Sequence, residues 1–172
     1  MPTYLSEQTI DKFKLKESIN LKNTKKFKIN TIDVIPFELQ HGDSECYGFI
    51  FHDKESLIFF ATDFMLMNQD FSAFPFTEIY IETNYSESKI QNALNLAKES
   101  DLESIKMQRQ INTHTSVENA VKYLKKMNLS KCNKIIGIHV SDQFGNINEI
   151  KSKIYSEFNI PTYCFNKKGE LV

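Results

Sequence analysis

The chain has 172 residues, with 21 Lys and Arg against 22 Asp and Glu, a formal net charge of −1 and 41% apolar residues. That length can bury a core and fits a single domain spanning 1–172. The balanced, interspersed charge excludes a basic face devoted to nucleic acid, and no run approaches the ~18 apolar residues of a membrane span.

Ser6 is placed to cap a short helix running to about Lys16, with Ile10, Phe13 and Leu15 as its apolar positions. Residues 22–26 read as a polar turn. Phe27–Ile29 and Ile32–Phe37 read as two strand segments, and Pro36, which has no N–H to donate, places the second at an edge or a bulge. Tyr47–Phe51 and Leu57–Ala61 predict a hairpin around 52–56. Their near-continuous apolar character predicts strands covered on both faces. Residues 64–76 hold Met65, Met67, Phe71, Phe74 and Phe76 without a clean period, which fits a long apolar loop or short helix packed near the site. Helices are expected from Ser86 to about Ser100, from Ser116 to Met127 and from Ile147 to Phe158. A strand is expected at 134–140, another at 161–165, and a terminal turn at 166–169. Strands alternating with helices in the second half indicate an α/β layered domain.

The polar groups that can do chemistry stand where apolar runs stop. His41 follows the run that begins at Val34, Asp63 follows Leu57–Ala61, Glu82 ends Glu78–Ile81, and His139 follows Ile135–Ile138. His114 precedes the Ser116 helix start. Parallel strands present their carboxyl ends to one crevice, so these residues are placed to share a sheet rim. Imidazole and carboxylate groups on such a rim suit a divalent metal and hydrolysis. The plainer readings are a buried polar residue for His41, a helix cap for Asp63 and His139, and turn chemistry for Asp43 beside Gly42. His52 reads as a hairpin tip. The three cysteines, Cys46, Cys132 and Cys164, are widely spaced and odd in number, which fits a reduced, cytoplasmic protein. The first residues show neither a charged start nor an apolar core, so no signal peptide is expected.

The order His41, Thr62-Asp63, Glu82-Thr83-Asn84, His114-Thr115-Ser116, His139-Val140-Ser141 resembles the metallo-β-lactamase superfamily, in its phosphodiesterase and nuclease branches, over about residues 27–165. The resemblance implies a metallo-β-lactamase-like αβ/βα layered fold and a metal-dependent phosphodiesterase. It implies His41 and His139 as ligands of zinc or manganese, Asp63 as a bridge between two ions, and Glu82 as the group that orients His114. His114 itself would act on the scissile phosphate. Ser141 would contact phosphate or support His139. The superfamily's His-x-His-x-Asp-His cluster is nowhere in the 172 residues, and no histidine precedes His41. The expectation is therefore a fold incomplete at its N-terminus, truncated or split, and either inactive alone or completed by a homo-oligomer or partner chain. The alternative is a non-catalytic binding or regulatory module that uses the old crevice.

Overall fold

A computed structural model of the protein describes residues 2–15, 17–97, 102–165 and 168–172. The chain begins with β1 (Thr3–Leu5), α1 (Glu7–Phe13) and β2 (Ser18–Asn20), followed by a 3-10 turn at Leu21–Asn23. The Ser6 hydroxyl accepts from Thr9 N–H and so satisfies an orphan donor of α1, as its position predicts. The expected end of this helix at Lys16 lies outside the described residues. β1 and β2 pair in parallel, a small sheet that three-residue segments do not announce in sequence.

Seven further strands form one mixed sheet: β3 (Phe27–Ile29), β4 (Ile32–His41), β5 (Ser44–His52), β6 (Leu57–Ala61), β7 (Glu78–Glu82), β8 (Lys134–Ile138) and β9 (Thr162–Cys164), adjacent in that order. The β3–β4, β4–β5 and β5–β6 pairs are antiparallel, whereas the β6–β7, β7–β8 and β8–β9 pairs are parallel. β3 pairs only with Ile32–Val34, so Pro36 has β5 as its single neighbour, and its missing N–H costs no ladder bond. Asp53 closes the β5–β6 hairpin by accepting from Glu55 and Ser56 N–H. β4 and β5 are longer than their apolar segments and meet at a two-residue turn, Gly42-Asp43, in which Gly42 has φ +56°.

The helices are α2 (Glu87–Leu96), α3 (Leu102–Thr113), α4 (Val117–Leu124) and α5 (Ile147–Phe158). Residues 98–100, the expected end of the helix from Ser86, lie outside the described residues, as do 166–167 of the terminal turn. Ser116 and Asn146 cap α4 and α5 by accepting from Asn119 and Glu149 N–H. α3 is absent from the sequence expectation because its periodicity is misleading: Leu102 and Ile105 are exposed while Ser104 is buried.

The core lies on one face of the sheet. Phe37, Ile50, Phe59, Ile79 and Ile135 pack there against Val117, Val121 and Leu124 of α4 and Ile150 and Ile154 of α5. The loop between β6 and β7 feeds Phe64, Phe71 and Phe76 into the same cluster. Each such side chain contributes about 1.5–3 kcal/mol by leaving water. Gly137 is required where β8 passes Thr83 and Cys164, since a Cβ would lie 2.6 Å from Thr83 Oγ1. The opposite face corrects the expectation of strands covered on both sides. There Phe49, Phe51, Phe60 and Tyr80 form a half-buried aromatic row, with successive ring centroids 6.1, 6.5 and 6.2 Å apart. The runs look continuous because both strand faces are apolar, but the helices of the core cover only one.

Candidate functional site

Asp63 follows β6, Glu82 ends β7 and His139 follows β8, so the three parallel strands deliver them to one rim. His41 arrives from the tip of the antiparallel β4–β5 hairpin. His114 stands between α3 and α4. Asp63 and His139 have φ values of +53° and +54°, the left-handed region that side chains with a Cβ avoid. Such strain persists where the surroundings fix it, and here two instances stand side by side: Asp63 Oδ1 lies 3.5 Å from His139 Nδ1.

Glu82 organises the rim. It is fully buried, its Oε2 accepts from Phe64 N–H at 2.8 Å, and its Oε1 accepts from His114 Nδ1 at 2.7 Å and His139 Nδ1 at 3.0 Å. Burial works against this carboxylate, but the donors from His114, His139 and Phe64 outweigh it and hold its pKa below the usual 4.5. The bond to Glu82 correspondingly raises His139 above 6.5, against the pull of its burial. His41 donates from Nδ1 to the Thr113 carbonyl at 2.8 Å. Carboxylate and carbonyl oxygens only accept, so Nδ1 carries the proton in all three rings. Their Nε2 atoms are thereby left for other work, the tautomer that metal-binding histidines adopt when a neighbour fixes the far nitrogen.

The rings form a file, with centroids 5.1 Å apart from His41 to His114 and 4.9 Å from His114 to His139. Among the described residues, the ligand atoms of His41, Asp63 and His114 all lie within 4.8 Å of one another, as do those of Glu82, His114 and His139. His41 and His139 belong to different groups, with His114 between them. The first group, two imidazoles and a half-exposed carboxylate, fits a divalent cation, whereas Glu82, His114 and His139 are joined by the Nδ1–H hydrogen bonds already described.

These rings line a cleft of about 370 Å³ together with Asn84, Ser141 and one face of α3. Asn84 braces the rim by donating to His139 O and accepting from Gln110 Nε2. Ser141 accepts from Phe144 N–H and so holds its own turn. Asp43 lies on the hairpin turn two residues past His41 and lines a separate pocket, and His52 ends β5 at the far hairpin, opposite Leu57. Burial, with Asp63 nearby, pushes the Cys46 thiol up to about 11, so it stays protonated and hydrogen-bonds Thr62 O. The contribution of α3 was missed by sequence reasoning. The signal that could have found it is Lys106, Arg109 and Thr113, which recur at helical spacing before His114.

Neither a scan against protein-family models nor a search of curated proteins gives a match. Solved structures do. The metallo-β-lactamase fold protein YhfI from Bacillus subtilis superposes on 99% of this chain and 64% of its own, with a TM-score of 0.66 and 13% identity. This chain has the metallo-β-lactamase fold. An isothiocyanate hydrolase of that fold class from Delia radicum gut bacteria matches 100% of this chain and 66% of its own, with a TM-score of 0.60 and 14% identity. A diphosphatase of the PhnP family matches 99% and 57%, with a TM-score of 0.57 and 14% identity. The chain thus spans about two thirds or less of the length of these metallo-β-lactamase-fold structures. Among the described residues, no helix is long and apolar enough to cross a membrane.

Proposed function

We propose that this chain is a metal-dependent hydrolase of the metallo-β-lactamase fold acting on a phosphodiester or nucleotide-type substrate. The observation that carries the reading is the histidine file: three imidazoles, each fixed through Nδ1, facing one cleft beside Asp63. His41, Asp63 and His139 would hold the metal, zinc or manganese, with Asp63 reaching toward both rings. An ion bound there would act as a Lewis acid and would lower the pKa of water to about 7. Glu82 positions the His114 ring by accepting from its Nδ1. With a second proton taken up at Nε2, His114 would be placed to give it to a departing oxygen, the role of a general acid. The test is metal analysis combined with hydrolysis of bis-p-nitrophenyl phosphate. Stoichiometric zinc or manganese, with turnover lost in Asp63→Ala, supports the reading.

A second reading rests on the missing His-x-His-x-Asp-His cluster, without which each ion would keep few protein ligands. In that reading the chain is a non-catalytic binding or regulatory module. It predicts neither bound metal nor turnover. Between the two stands a chain that associates through the half-buried aromatic row, either with a second copy or with a partner, of which only a partner carrying the cluster would complete the site.

A further inference from the structure

The chain contains 20 lysines and one arginine, Arg109. In a sequence that meets nearly every need for positive charge with lysine, the exception lies in the wall of the histidine cleft. Arg109 is on α3, one helical turn, about 5.4 Å, before Thr113, and this spacing puts both residues on one helix face. The Thr113 carbonyl holds His41, and the next residue is His114. Lys106, one turn further back, lines the same cleft but is already paired with Glu103 at 3.0 Å. Among the described residues that line the cleft none is acidic, and Asp63 stands at its edge, with its ligand oxygen within 4.8 Å of those of His41 and His114. Glu82 reaches this space only through the two rings it holds, because it is itself fully buried.

We propose that Arg109 is the phosphate-reading residue of the cleft, gripping two non-bridging oxygens of a substrate phosphate while the histidine file faces the same group. The inference rests on the hydrolase reading for its place in a reaction, and it names the substrate class as one with an accessible phosphate. The physical reason for arginine is geometry. A guanidinium presents a planar fork of donors that matches two phosphate oxygens at once, whereas an ammonium is a point charge. Gln110 and Asn84, joined by a hydrogen bond at 2.5 Å, add amide groups beside it. A phosphate held against α3 meets the guanidinium fork of Arg109, and no carboxylate is among the residues that line the cleft.

The test is titration of inorganic phosphate into the chelator-treated protein by calorimetry at low ionic strength. Wild-type protein binds. Arg109→Ala binds about tenfold to a hundredfold more weakly, the worth of a charge-assisted bidentate pair. Arg109→Lys recovers only part of that loss, because the charge returns without the fork. Lys54→Ala, on the distant β5–β6 turn, binds as wild type, and thermal melts confirm that every variant is folded. No phosphate binding by the wild type, equal binding by Arg109→Ala, or full recovery in Arg109→Lys would overturn the assignment. Because no metal and no turnover enter this titration, its result is independent of the hydrolase reading. Phosphate binding that depends on Arg109 in a protein without metal or turnover keeps the inference and sinks the hydrolase. Turnover whose KM is indifferent to Arg109→Ala does the reverse.

Discussion

Replacing Glu82 by Gln changes one oxygen into an amide nitrogen and leaves shape and volume nearly unchanged, so its consequences are those of charge and donor count. In the native rim Oε2 accepts from Phe64 N–H while Oε1 accepts from both His114 and His139. Glutamine can offer its single carbonyl to one side only. If that carbonyl faces Phe64, an NH2 confronts two Nδ1–H groups, and both rings must move their proton to Nε2. If it faces the rings, an NH2 confronts a buried backbone N–H. The first arrangement loses the charge-assisted bonds of both rings, and the second loses charge assistance and strands the buried Phe64 N–H, at about 1.5–3 and 1–3 kcal/mol for each such loss, so a loss of about 3 kcal/mol is expected. At about 2–4 °C per kcal/mol for a chain of this size, the melting temperature should fall by about 6–12 °C. The pH dependence carries a sign of its own. The Glu82 contribution is present above its usual value of 4.5 and disappears as pH falls through its lower folded pKa. The His139 contribution is complete below 6.5 and disappears as pH rises through its higher folded pKa. Stability against pH should therefore fade on the alkaline side in the wild type, and that fade should be weaker in Glu82→Gln. Thermal denaturation followed by circular dichroism across pH 5–9, with nitrogen-15 spectra of the imidazoles to report tautomers, measures both effects. A melting temperature within about 1 °C of wild type, with Nδ1 still protonated in both rings, would refute the reasoning.

Other parts of the structure make sharper, smaller claims. Asn suits the left-handed region as well as Asp does, so Asp63→Asn should leave the melting temperature within about 2 °C of wild type. By removing the exposed carboxylate, the same change should weaken zinc binding by at least about tenfold in a competition assay. Gly137→Ala pushes a methyl against Thr83 and Cys164, at 2.6 and 2.9 Å in the present packing, and should cost about 1–3 kcal/mol in urea denaturation. Light scattering at micromolar concentration should show self-association that weakens in Phe60→Glu, since a charge would then stand in the aromatic row; a stable monomer would remove the association proposal.

The rim residues were legible because hydrophobic runs in sheets stop where the strand leaves the core, and the residue at that stop is polar for a reason. Asp63, Glu82 and His139 all emerged that way. The hairpin that carries His41 was only half legible. Glu38, Gln40, Ser44 and Glu45 are polar positions in continuing strands, and a criterion built on apolar runs ends each strand too early. α3 was illegible for the opposite reason. It exposes Leu102 and Ile105, buries Ser104 and Met107, and so shows no clean apolar stripe. With α3 went Arg109 and the cleft wall. The uncovered sheet face was also hidden, because composition reports that a strand is apolar on both sides without saying whether anything packs there.

The bond from His41 to the Thr113 carbonyl ties a hairpin tip to the last turn of a helix that otherwise belongs to a different layer. It couples the hairpin tip to a helix that Gln110 also ties to the rim through Asn84. An anion that draws α3 inward would carry the His41 ring with it. If a cation on the rim prefers one position of that ring, linkage requires that the anion and the cation change each other's affinity by the same factor.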